Sequence, residues 1–66
     1  MQVHVNGISM DFPGGGTVGG LLEQLDRPAG PCAVERNGEL VPWRERSEAI
    51  LMDGDRIEVV TLTGGG

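Results

Sequence analysis

The run Val3-His4-Val5-Asn6-Gly7-Ile8-Ser9-Met10-Asp11-Phe12 decides how this chain folds. Val3 and Val5 alternate with Gln2 and His4, the pattern of a half-buried strand, and a β-like run resumes from Ile8 to Phe12. Asn-Gly between two such runs is the strongest short hairpin signal, because the type I′ turn needs positive φ at both central positions. The chain therefore opens on two antiparallel strands. Working outward, Pro13-Gly14-Gly15-Gly16 ends the second strand, and Thr17 is placed to cap a helix. Val18, Leu21, Leu22 and Leu25 follow at i, i+3, i+4 and i+7, the apolar stripe of one short amphipathic helix. Asp26-Arg27-Pro28-Ala29-Gly30-Pro31 stops it.

Cys32 to Arg36 reads as a third strand, Asn37-Gly38 as a second tight turn, and Glu39 to Val41 as a short fourth strand closed by Pro42. Trp43 to Ser47 is expected to form one helical turn. The Asp53-Gly54-Asp55 turn then launches a final strand, in which Ile57 and Val59 point one way and Glu58, Val60 and Leu62 the other. A hairpin, a helix and two or three further strands around one core leave few layouts. The helix supplies a crossover, so the last strand most simply lies in the middle of the sheet beside the first and parallel to it. This is an α+β fold of β-grasp type, a mixed four- to five-stranded sheet with one main helix on one face. Residues 1–63 are expected to form one domain, followed by a glycine tail over 64–66.

Sixty-six residues bury only about 60% of their unfolded surface, which leaves no room for a substrate cleft within the chain. With 38% hydrophobic residues in clearly periodic runs, the chain is nonetheless expected to fold. A single cysteine, Cys32, excludes an internal disulfide and suits a reducing cytoplasm. No leader pattern opens the chain and nowhere do 18 apolar residues run together, so a soluble, cytoplasmic protein, monomeric when free, is expected. The formal net charge of −5 argues against nucleic acid and against autonomous ATP binding, both of which draw on Lys and Arg. It favours a basic partner surface, with simple solubility as the plainer explanation.

After Thr63 the sequence carries no side chain at all: Gly64-Gly65-Gly66 follow directly on the last strand. Glycines make the thinnest tether a polypeptide allows, and three of them reach about 10 Å, enough to enter a narrow active site while the body docks outside. Val60 and Leu62 lie beside that tail on the face opposite Ile57 and Val59. If the helix covers the latter pair, Val60 and Leu62 are exposed apolar positions expected to touch the partner.

Other motifs are weaker. Gly14-Gly15-Gly16-Thr17-Val18-Gly19 matches GxGxxG, but a dinucleotide site needs parallel βαβ strands that a chain opening on a hairpin does not have, so a flexible loop is expected. Asp53-Gly54-Asp55 lacks the remaining calcium ligands and reads as a turn. No metal site and no cofactor are expected. Cys32 is read as a small buried residue rather than a reactive thiol, His4 as a solvent-facing strand residue without companion ligands, and Trp43 as a core residue with an interface as the alternative.

The hairpin and helix, Val34-Glu35-Arg36-Asn37 with Val41-Pro42 close behind, Asp53-Gly54-Asp55-Arg56-Ile57 and the terminal glycines together resemble the ThiS family, the ubiquitin-like sulfur carriers of thiamine biosynthesis. The resemblance covers the whole chain. It implies that Gly65 and Gly66 are the functional pair and that Gly64 is an optional third glycine. It further implies that a ThiF-type, E1-like adenylyltransferase adenylates Gly66, that the acyl group becomes a thiocarboxylate, and that a ThiG-type thiazole synthase takes the sulfur. On this reading the protein is a substrate rather than an enzyme, and ATP is bound by the partner. A carrier for another pathway such as molybdopterin synthesis, a ubiquitin-like modifier, and a binding module with an incidental tail remain alternatives.

Overall fold

The computed structural model describes residues 1–25 and 32–61. The elements are β1 (Gln2–Val5), β2 (Ile8–Asp11), α1 (Val18–Gln24), β3 (Cys32–Arg36), β4 (Glu39–Leu40), a 3-10 turn (Trp43–Glu45) and β5 (Arg56–Thr61). They form one five-stranded sheet in the order β2-β1-β5-β3-β4. The last strand therefore lies in the middle. It runs parallel to β1, with Val5 beside Ile57, and antiparallel to β3, with Val34 beside Val59.

Both hairpins turn as their sequences require. Asn6 and Gly7 have φ of 50° and 83°, and Asn37 and Gly38 have φ of 52° and 86°, the paired left-handed conformation of a type I′ turn. Thr17 caps α1 by accepting a hydrogen bond from the Gly20 N–H at 3.1 Å. From α1, Val18 and Leu21 are fully buried. They pack on Val3, Val5, Val34, Ile57 and Val59 from the sheet, with Phe12, Val41 and Leu51 closing the edges of the core. Leu22 and Leu25 are only partly covered.

Two expectations need correction. The first concerns Trp43 rather than the glycine loop, where only Gly16 is held by packing: a Cβ there would overlap the ring of the buried Phe12, while Gly14 and Gly15 have open space around them. Trp43 is 64% exposed and not in the core. Its ring lies over the guanidinium of Arg46, 4.6 Å from the ring centroid, and it is Arg46 that is buried. The small core is already filled by aliphatic residues, and the indole face covers a cation from outside. The fourth strand is also shorter than read, Glu39–Leu40: Val41 still donates its N–H to the Val34 carbonyl at 2.8 Å, while its side chain is buried in the core.

Asp55 holds the entry to β5. It is 6% exposed, and its Oδ1 accepts from Asn37 Nδ2 at 3.0 Å while Oδ2 accepts from the Met52 N–H at 2.8 Å and pairs with Arg36 Nε at 3.1 Å. Asn37 in turn accepts from the Arg56 N–H at 2.9 Å. One buried carboxylate thus ties the β3–β4 turn to the start of the central strand. Asp55→Ala strands the Asn37 amide, the Met52 N–H and the Arg36 guanidinium together, and is expected to cost about 2–4 kcal/mol. Urea unfolding reads this as a lower midpoint at unchanged slope; a midpoint like that of the parent would show the network to be dispensable.

Candidate functional site at the root of the C-terminal tail

The glycines Gly64, Gly65 and Gly66, together with Leu62, lie outside the described residues. What the structure defines is the platform from which they depart. Strand β5 lies in the middle of the sheet order, paired with β1 over its first residues and with β3 along its whole length. On the β3 side the ladder runs to Thr61, which faces Cys32. On the β1 side the backbone ladder ends after Ile57, because β1 turns away at Asn6. The Asn6 side chain continues it: Oδ1 accepts from the Val59 N–H at 2.8 Å, and Nδ2 donates to the Val59 carbonyl at 3.3 Å. An amide has the same donor and acceptor pair as a peptide group, so Asn6 stands in for one further strand residue. Sequence reasoning took Asn6 only as a turn residue.

Val60 lies on the open face, 55% exposed and beside the half-buried Ala33, while its neighbour Val59 is buried under the helix. The face assignment from the alternating pattern therefore holds for Val60. One step back along the strands, Glu58 stands directly opposite Glu35, both exposed. Like charges across a strand pair repel, so two unneutralised carboxylates stand next to an apolar spot, with the exposed Arg56 two residues further back on the same face. Other exposed apolar residues, Ile8, Leu40, Trp43, Ile50 and Met52, are not on β5.

The remaining motif residues have structural partners. The N–H groups at the start of α1 are taken: Val18 donates to the Ala49 carbonyl at 2.9 Å, Gly19 to the Arg46 carbonyl at 2.8 Å, Gly20 to Thr17 Oγ1 and Leu21 to the Thr17 carbonyl. A phosphate would find no free donors there. Asp53 Oδ1 accepts from the Gln2 N–H at 2.7 Å and Asp55 is engaged as above, so both carboxylates hold the turn together. Among the described residues no three His, Cys, Asp or Glu side chains gather as a metal site, and no helix is long and apolar enough to cross a membrane. His4 is half-covered rather than fully solvent-facing.

Cys32 is half-buried and, although remote from the tail in sequence, is the cross-strand neighbour of Thr61. Arg46 holds it from the helix side, Nη2 donating to its carbonyl at 2.6 Å and Nη1 approaching Sγ at 3.5 Å. Arg46 Nε is buried without a hydrogen-bond partner among the described residues.

Known proteins share this arrangement. The ThiS family model matches residues 3–66. The chain is 36% identical to the sulfur carrier protein ThiS of Escherichia coli over 66 residues, all of both chains. It is 38% identical over 66 residues to a thiazole synthase of Paramagnetospirillum magneticum, but there it spans only 20% of the length of that protein. The crystal structure of the thiamine biosynthesis protein ThiS from Geobacter metallireducens superposes with a TM-score of 0.85 at 29% identity, covering all of both chains. On the family match and the end-to-end identity to the Escherichia coli carrier, the chain belongs to the ThiS family.

Proposed function

We propose that this chain is a sulfur carrier of thiamine biosynthesis, in which Gly66 is adenylated by an E1-like adenylyltransferase and converted to a thiocarboxylate that supplies sulfur to a thiazole synthase. The observation that carries this reading is the match over all 66 residues and the whole length of a protein that is itself a sulfur carrier. The partner reading is supported by Paramagnetospirillum magneticum, where the counterpart of the whole chain is part of a thiazole synthase. Joining two modules in one polypeptide raises their effective concentration, which is useful when one hands an acyl-bound atom to the other.

The chemistry asks little of the carrier. A terminal carboxylate is ionised at neutral pH and is a poor electrophile. Its attack on the α-phosphate of ATP, in the partner's active site, gives an acyl-adenylate and pyrophosphate. A persulfide sulfur then displaces AMP, and the terminal oxygen is replaced by sulfur. This chain contributes a firm root, held by β3 and Asn6, a thin tether, and a face on which Val60 and the neighbouring Leu62 meet the partner. Nucleotide and metal belong to the partner, and the carrier performs no catalysis and needs no cofactor.

Intact-mass measurement after incubation with an activating enzyme, ATP and a sulfur source tests the reading. The parent is expected to exchange one terminal oxygen for sulfur, and Cys32→Ala, which removes the thiol nearest the tail, is expected to do the same. Gly65→Val is expected to keep its fold and lose pyrophosphate exchange, because a branched side chain does not pass a channel shaped for glycine. An isopeptide adduct on a target lysine would identify a modifier instead, and an untouched carboxylate would remove the carrier reading.

Docking is tested separately. Val60→Asp places a charge on the open face without touching the core, and is expected to weaken binding of the adenylyltransferase by roughly tenfold or more, with a melting temperature within about 4 °C of the parent. Unchanged affinity would move the interface elsewhere.

A further inference from the structure

The two hairpin turns carry the same pair of residues, Asn6-Gly7 and Asn37-Gly38, and in both the asparagine reaches back to the start or the body of β5. Asn6 donates its backbone N–H to the Ile57 carbonyl at 2.9 Å, while its Oδ1 accepts from the Val59 N–H at 2.8 Å and its Nδ2 donates to the Val59 carbonyl at 3.3 Å. Asn37 donates its backbone N–H to the Arg56 carbonyl at 2.8 Å, while its Oδ1 accepts from the Arg56 N–H at 2.9 Å and its Nδ2 donates to Asp55 Oδ1 at 3.0 Å. An asparagine followed by glycine is also a chemical weak point, because the next residue has no side chain to shield its nitrogen. Both glycines are exposed, with open space where a Cβ would stand.

We propose that Asn6 is a modification site at which the chain deamidates itself through a cyclic imide, and that the product unclamps β5 at Val59. The Gly7 nitrogen gives up its proton and attacks Asn6 Cγ. The new C–N bond closes the imide ring, the Cγ–Nδ2 bond breaks, and Nδ2 leaves with the proton as ammonia. Water then opens the ring on either side of the shared nitrogen, so residue 6 becomes aspartate, or isoaspartate with the chain running through Cγ. The sum is amide plus water giving carboxylic acid plus ammonia, with no oxidant and no enzyme. A carboxylate is acceptor-only once ionised. One of its oxygens still accepts from the Val59 N–H, but the other faces the Val59 carbonyl oxygen with no proton between them, a repulsion where the amide made a bond.

The fold decides which asparagine reacts first. Cyclisation has to break both hydrogen bonds of the side-chain amide, so it waits for local opening of the turn and follows the population of the opened state. Asn6 has the weaker hold. Its amide bonds only neutral backbone groups, one of them at 3.3 Å, and the strand that follows it, β2, is an edge strand with Ile8 and Ser9 exposed. Asn37 is bonded to the buried carboxylate of Asp55, and Arg36 beside it pairs with the same carboxylate at 3.1 Å, so two consecutive residues moor that turn to one charge. A hydrogen bond to a charged group is held more tightly than a neutral one, which sets the expected ratio of released amides at roughly fivefold or more.

Ageing at mildly alkaline pH tests the proposal. Native protein and a parallel sample unfolded in urea are followed over time, and peptide mapping by mass spectrometry, with an isoaspartate-specific methyltransferase, reads residues 6 and 37 separately. In urea the two are expected to convert at similar rates. In the native protein residue 6 is expected to convert at roughly fivefold or more the rate of residue 37. The converted fraction, and independently the Asn6→Asp variant, are expected to lose protection of the Val59 N–H against hydrogen exchange by roughly tenfold or more. No conversion at residue 6 in the native sample by the time the unfolded chain has converted would overturn the proposal, as would residue 37 converting as fast as residue 6. A Val59 N–H as well protected in the converted protein as in the parent would overturn the unclamping of β5.

Discussion

A strand from the end of the chain can enter the middle of a sheet only if the earlier strands leave a slot for it, and the placement of β5 between β1 and β3 governs the rest of this molecule. Helix α1 makes the slot by carrying the chain across one face, so that the β1–β2 and β3–β4 hairpins end up on opposite sides of a gap. When β5 fills it, Ile57 and Val59 complete the core under α1. The pairing of Val5 with Ile57 is among the longest-range contacts a chain of this size can make, and its closure entropy is offset by strand pairing on both flanks and by burial of Ile57 and Val59 on the helix face.

A one-residue slip would turn every side chain of β5 to the wrong face, so burial of Ile57 and Val59 already specifies its register. Polar ties near both ends of the strand add to that specification. At the start, Asp55 and Asn37 bind the strand to the β3–β4 turn. Toward the end, Asn6 pairs with both backbone groups of Val59. Asn6 is suited to both its tasks for one reason: its short amide tolerates the left-handed conformation of the turn and also mimics a peptide group. The same pairing that centres β5 puts Thr61 at the opposite end of the sheet from Met1.

Much of this was legible beforehand. Two Asn-Gly turns, the Val18-Leu21-Leu22-Leu25 stripe and the alternation along β5 are local signals, and local sterics and periodicity act on them directly. The exposure of Val60 followed from that alternation once Val59 was assigned to the core. Trp43 was misread because an indole is as suited to covering a cation as to filling a core, and the choice depended on how much volume the aliphatic residues had already taken. Gly16 looked like part of a flexible loop because nothing in its neighbours reveals that the ring of Phe12 must pass there.

By itself, then, the sequence determined the elements, their order, the face on which Val60 lies and the side-chain-free run after Thr63, all properties of short-range pattern or composition. Only the tertiary structure decided that Asn6 clamps Val59, that Cys32 stands beside the root of the tail, that Arg46 rather than Trp43 is buried, and that Met1 lies at the opposite end of the sheet from Thr61. Each of these joins residues tens of positions apart. Their meeting depends on strand order and shared volume, which the chain settles as a whole when β5 enters its slot.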